Sequence, residues 1–147
     1  MKGRGGRRRA RELALQGLYQ WLVARTPPAA IRVDLEASSG YAKCDAAFFD
    51  LVWRGVTGEF DTLIEALRPF LDRASEQLSP IEKGVLAIGA WELLRAPETP
   101  YRVAINEAVE LAKTYGGTDG HKYVNGVLDK LALARRAAEV GAARSAG

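Results

Sequence analysis

With one cysteine in 147 residues, the sequence cannot form an intrachain disulfide, and with one histidine and no CxxC pair it offers no structural zinc cluster. A secreted disulfide scaffold is excluded, and neither a metal nor a cofactor is expected. Long apolar runs are missing as well, since nothing approaches the ~18–20 residues that a membrane span needs. The arginine-bearing N-terminus is followed by no signal-peptide core and cleavage site. Together these absences predict a cytoplasmic chain without a membrane partner. Nucleophilic machinery is equally thin. His121 stands alone, no serine or cysteine sits in a nucleophile elbow, and Glu107 with Glu110 has the i, i+3 spacing of a solvated helix face. An enzyme is not expected, and no catalytic residue is assigned.

What is present suits one globular domain, expected over residues 1–140, with an unstructured tail over 141–147. The charge is unevenly placed. Net charge is +3, yet Lys2, Arg4, Arg7, Arg8, Arg9 and Arg11 put six basic residues and no acid into the first eleven positions. Residues 12–147 then hold 15 basic against 18 acidic side chains. A basic pole on a mildly acidic body points to a polyanion at one end, nucleic acid first, and leaves other surfaces for a protein contact.

Alanine (24) and leucine (17) outnumber valine, isoleucine and threonine together (21), which favours helices over strands. An all-α fold of six to seven helices is expected. Ala10, Leu13, Ala14, Gly17, Leu18, Trp21 and Leu22 recur at spacings of three and four, predicting a helix over 7–25 that Pro27 and Pro28 stop. Ile31 and Leu35 allow a short helix before a Ser38–Gly40 loop. A helix over 45–59 carries Phe48, Phe49, Leu51, Val52 and Val56. The next, from Phe60 to Leu71, should be kinked or divided by Pro69. Ser79, Pro80 and Glu82 form the clearest start signal: an N-cap serine, a proline at the first helical position and a glutamate at the third. The segment behind them is apolar nearly all round and should be the central buried helix. After Pro100 a helix carries Ala104, Ile105, Ala108 and Leu111, and Gly116 with Gly117 should cap it in the left-handed region. A last helix begins near Asp119, with Val124, Val127, Leu128 and Leu131 buried.

Two constellations carry chemistry. Arg7, Arg8, Arg9 and Arg11 fan out around the first helix, where the helix dipole disfavours cations and phosphate would offset them. The alternative is a solvated basic arm. The second lies in Gly116–Tyr123, a glycine-rich turn opening a helix whose first turn holds His121, Lys122 and Tyr123. Unpaired amides favour anions there, and the ring can stack on a base. The alternative is a plain N-cap at Asp119 and a core ring at Tyr123.

RRRARE at 7–12 with Leu18, Tyr19 and Trp21, Glu82-Lys83, and PYRVAINEAVELAKTYGGTDGHKYVNGVLDK over 100–130 resemble the NusB family of bacterial transcription antitermination factors across nearly the whole chain. The resemblance implies two packed helical bundles that bind the boxA element of ribosomal RNA leaders. It implies a heterodimer with NusE, a small-subunit ribosomal protein, and loading onto RNA polymerase with other Nus factors. Arg7, Arg8, Arg9, Arg11, Lys122 and Tyr123 would then face RNA, Asp119 would tune that surface, and Glu76 and Glu82 would face NusE. NusB-like domains also occur fused to ribosomal RNA methyltransferases, which is the alternative role, and a homodimer of the free chain is a third state.

Overall fold

The computed structural model describes residues 3–146; Met1, Lys2 and Gly147 lie outside them, as does the side chain of Arg4. Among the described residues there are eight α-helices and no strand, one or two helices more than expected. Their contacts divide the chain into two compact units, one through Phe60 and one from Asp61 on.

The first unit holds α1 (Gly3–Ala24), α2 (Pro28–Glu36) and α3 (Ala46–Gly58), with a 3-10 turn at Tyr41–Lys43. Helix α1 begins four residues before the predicted start, although glycines disfavour helix by about 1 kcal/mol each. A tertiary bond compensates: the Asp45 amide donates to the Gly6 carbonyl at 2.9 Å. At the other end Arg25, at φ 59°, takes the left-handed conformation that ends the helix. Gly17 brings α1 close to its neighbours, because a Cβ there would lie 2.6 Å from the Trp53 ring and 2.9 Å from Leu35. On α3, Phe48, Phe49, Val52, Trp53 and Val56 fill a 140° arc of the helix and are buried. Leu51 falls 60° outside that arc and is exposed, contrary to its predicted place in the stripe.

The second unit holds most of α4 (Phe60–Leu67), then α5 (Pro80–Arg95), α6 (Tyr101–Tyr115), α7 (Gly120–Arg135) and α8 (Ala137–Ala146). Pro69 does divide its segment, with α4 giving way to a 3-10 turn at Arg68–Phe70. Helix α5 opens with the predicted reciprocal cap: the Glu82 amide donates to Ser79 Oγ at 3.1 Å, and the Ser79 amide to Glu82 Oε1 at 3.3 Å. Ten successive residues from Gly84 to Leu93 are buried, which makes α5 the central helix of its unit. Gly89 lets α7 approach, since a Cβ there would lie 2.5 Å from Leu128 Cδ1.

Three expectations fail here. Gly116 ends α6 in an extended conformation (φ −92°, ψ −177°) and not in the left-handed one, with its amide donating to Ala112 O at 2.8 Å. Glu107 is buried, so the Glu107/Glu110 pair is no solvated face. The tail expected to be unstructured is helical through Ala146. Its anchor is Arg136, whose side chain is 7% exposed and whose five guanidinium N–H groups are all engaged. They donate to the carbonyls of Glu92 (2.9 Å), Leu93 (2.9 Å), Ala96 (2.9 Å) and Thr99 (2.6 Å) and to Glu139 Oε1 (3.0 Å). Glu139 Oε2 accepts from the Tyr101 amide at 2.8 Å. The Leu93 carbonyl at the C-terminus of α5 and an orphan amide at the start of α6 thus find partners at the α7–α8 junction, while the carbonyls of Glu92 and Ala96, which already accept the amides of Ala96 and Thr99, gain a second donor.

Candidate nucleic-acid interface

In the first unit, burial of Ala10, Leu13, Ala14 and Leu18 fixes how α1 is rotated, and that rotation decides where its arginines point. Arg8 and Arg9 are exposed. Arg7 and Arg11, four residues apart, converge on one ring: their guanidinium carbons lie 4.6 Å and 4.9 Å from the centre of Phe48. A cation over an aromatic face is favourable, more so when partly desolvated. Arg11 is only 3% exposed and presents almost no surface to a ligand, whereas the Arg7 side chain keeps 45% of its surface.

Asp45 organises this end. Its Oδ1 accepts from the Phe48 amide at 3.0 Å as the N-cap of α3, and its Oδ2 lies 3.8 Å from Arg7 Nε. Arg9 meets Glu12 at 3.6 Å, one helical turn on. Both are long contacts between an exposed arginine and a half-buried carboxylate, which a phosphate can replace at little cost.

In the second unit, Asp119 stands at the N-cap position of α7 without making a side-chain cap bond, contrary to the alternative reading of it as a plain N-cap. Its backbone (φ −113°, ψ 12°) is outside the extended range of a capping residue, and its carboxylate pairs with Lys122 at 3.5 Å. Tyr123 is half-buried, so it combines core and surface as a ring at the rim of the buried stripe should. Burial pushes its hydroxyl pKa up, and that oxygen accepts from the Asp72 amide at 3.2 Å.

The residue that sequence reasoning missed is Arg73, whose guanidinium carbon lies 4.5 Å from the centre of the Tyr123 ring. Fifty positions separate the two, so no local pattern could reveal the pair; the only hint was a charged, broken segment after Pro69. Asp72 grips Arg73 with both oxygens, Nε to Oδ1 at 2.6 Å and Nη2 to Oδ2 at 3.1 Å. The Arg73 bond is the main reason the Asp72 carboxyl is held below its usual range.

The acidic candidates are also in this unit. Glu76 is exposed in a 3-10 turn (Ser75–Gln77), and its carboxyl is lowered by its own amide and by the Ser75 hydroxyl, which donates to it at 3.0 Å. Glu82 closes the α5 cap, yet its Oε2 lies 3.5 Å from where a Cβ on Gly120 would stand. It therefore sits beside the Asp119–Tyr123 turn and not on a distant face. Among the described residues no group of three or more histidine, cysteine or acidic side chains could hold a metal ion, and no helix is long and apolar enough to cross a membrane.

Compared with known proteins, residues 8–133 match the NusB family. The chain is 55% identical over 141 residues to the transcription antitermination protein NusB of Ralstonia nicotianae, covering 96% of this chain and 91% of that protein. It is 56% identical over 142 residues to the protein of that name from Burkholderia ambifaria, covering 97% and 98%. A solved structure of T. maritima NusB superposes with a TM-score of 0.75 at 29% identity, covering 86% of this chain and 89% of that one.

Proposed function

Because this chain belongs to the NusB family of transcription antitermination proteins, we propose that it is a non-enzymatic cytoplasmic adaptor that binds boxA RNA of ribosomal RNA leaders. The exposed arginines at the start of α1 carry this reading, with Arg7 already lying on an aromatic ring beside a carboxylate that a phosphate can displace. Arginine's planar fork suits phosphate oxygens, and its plane suits bases. Arg7, Arg8 and Arg9 make the contacts; Arg11 acts from beneath by holding Phe48. Lys122 and Tyr123 add a second contact region in the other unit, where Asp119 subtracts charge. Glu76 and Glu82 face NusE, and the pair loads onto RNA polymerase with other Nus factors.

The test is the affinity of the full chain for boxA RNA and a scrambled RNA across a range of salt. The parent prefers boxA, and its affinity falls steeply as salt rises. Replacing Arg7, Arg8 and Arg9 together by alanine removes most of the affinity and flattens the log–log slope by about 0.7 for each phosphate no longer neutralised. A triple variant with the parent's affinity and slope puts the RNA site elsewhere. For the protein contact, Glu76→Lys weakens NusE capture while leaving boxA binding by the chain alone intact; undiminished capture moves that interface.

A further inference from the structure

Tyr123 is the ring that the sequence offers for stacking, but one of its faces is already covered by Arg73. The arrangement is built from three directions: the ring lies against the guanidinium, Asp72 holds two of its nitrogens, and the Asp72 backbone is tied to the Tyr123 hydroxyl. Even so, the Arg73 side chain keeps 40% of its surface in solvent. An exposed arginine ordinarily samples many rotamers; here the fork is held by Asp72 while two-fifths of the side-chain surface remains in solvent.

The charges nearby decide what that open side suits. Arg73 and Lys122 are the cations of the region, and Asp72, Asp119 and Glu82 are the anions, with Asp72 and Asp119 in direct pairs and Glu82 acting on Arg73 through space. Three carboxylates against two cations repel a phosphate. A neutral, flat and polarisable group meets no such repulsion, and guanidinium planes stack on nucleobases.

We propose that the Arg73 guanidinium, carried on the Tyr123 ring and clamped by Asp72, is a platform on which one unpaired base of a bound RNA stacks, completing a base–arginine–tyrosine sandwich. The inference rests on the RNA-binding reading above and adds to it a contact that reads a base face and not a phosphate.

The experiment compares the full-length parent with Arg73→Lys and Arg73→Ala, using boxA RNAs in which 2-aminopurine replaces one base at a time. Thermal melts serve as the folding control. Lysine keeps the charge and loses the plane, so Arg73→Lys weakens binding roughly 5- to 150-fold, leaves the salt slope unchanged, and abolishes the fluorescence quenching that the parent shows at one position. Arg73→Ala behaves like Arg73→Lys. Affinity and quenching in Arg73→Lys that match the parent overturn the platform, as does an alanine variant that loses affinity with a flattened salt slope and is rescued by lysine, the mark of a phosphate contact. In both cases parent binding to boxA leaves the broader reading standing. A parent that binds no RNA at low salt sinks both.

Discussion

Arg7 in the first unit and Arg136 in the second are the same side chain used in opposite ways. Arg7 is half in solvent, meets a carboxylate at 3.8 Å and lies on a phenyl ring. The Arg136 side chain is only 7% exposed, and each of its guanidinium N–H groups donates to a carbonyl or carboxylate. A guanidinium whose donors are all committed inside the fold cannot serve a ligand; one held by long, exposed contacts can exchange them for phosphate. The contrast separates arginines that bind from arginines that build, and it does so by what surrounds them and not by local sequence.

The sharpest way to break the comparison is Arg136→Ala. The carbonyls of Leu93 and Thr99 would lose the Arg136 donor, those of Glu92 and Ala96 would lose their second one, and Glu139 would lose its cation, so unfolding in denaturant should show a loss of about 3–5 kcal/mol. If the loss is under ~1 kcal/mol, Arg136 is no more structural than Arg7. Arg136→Lys keeps the charge with three donors on a flexible stem in place of five in a fixed fork, so it should recover only part, leaving a deficit of roughly 2–3 kcal/mol in the same assay.

Glu139→Gln comes next. The Tyr101 amide first, and Arg136 second, hold the Glu139 carboxyl below its ordinary value of 4.5. A depressed carboxylate pKa stabilises the fold fully above the unfolded value and loses that contribution as pH falls through the folded one. Stability of the parent should therefore decline below about pH 4.5. The variant should decline less steeply, with a loss below ~1 kcal/mol at neutral pH, since solvent screens this partly exposed group. Parallel acid limbs in parent and variant would take Glu139 out of the clamp. Asp50, held low chiefly by Arg32, keeps the variant's limb from vanishing. Smallest of all, Arg8→Ala and Arg9→Ala should each leave the melting free energy within about 0.5 kcal/mol while weakening RNA binding. A larger stability loss would make them builders.

Helix positions were largely legible because each depends on a local pattern. The Ser79-Pro80-Glu82 cap and the apolar run behind it fixed α5, and the prolines at 27, 28, 69 and 100 marked breaks that the chain respects. What stayed hidden depends on partners far along the chain. Arg135 and Arg136 are adjacent and identical in type, yet one is exposed and the other is the buried clamp, with carbonyl partners 37 to 44 residues away. In the arginine run the helical period fans the side chains out, but only packing shows that Arg11 is sealed against Phe48 while Arg8 is exposed at the surface. Asp119 looked like a cap and is an ion-pair partner, because the turn before α7 never reaches capping dihedrals. Arg73 was invisible for the same reason as Arg136: its significance is conferred by Tyr123, fifty residues on.

The reach of the Arg136 clamp also sets an order of events during synthesis. Helix α5 can coil as soon as its own residues leave the ribosome, but the donors for the carbonyls of Glu92, Leu93 and Ala96 arrive 40 to 44 residues later. Until then water must serve the Leu93 carbonyl, those of Glu92 and Ala96 hold only the Ala96 and Thr99 amides, and the corner between α5 and α6 lacks its fastening. The second unit is therefore locked from behind, by a residue translated some forty positions after the helix it fastens.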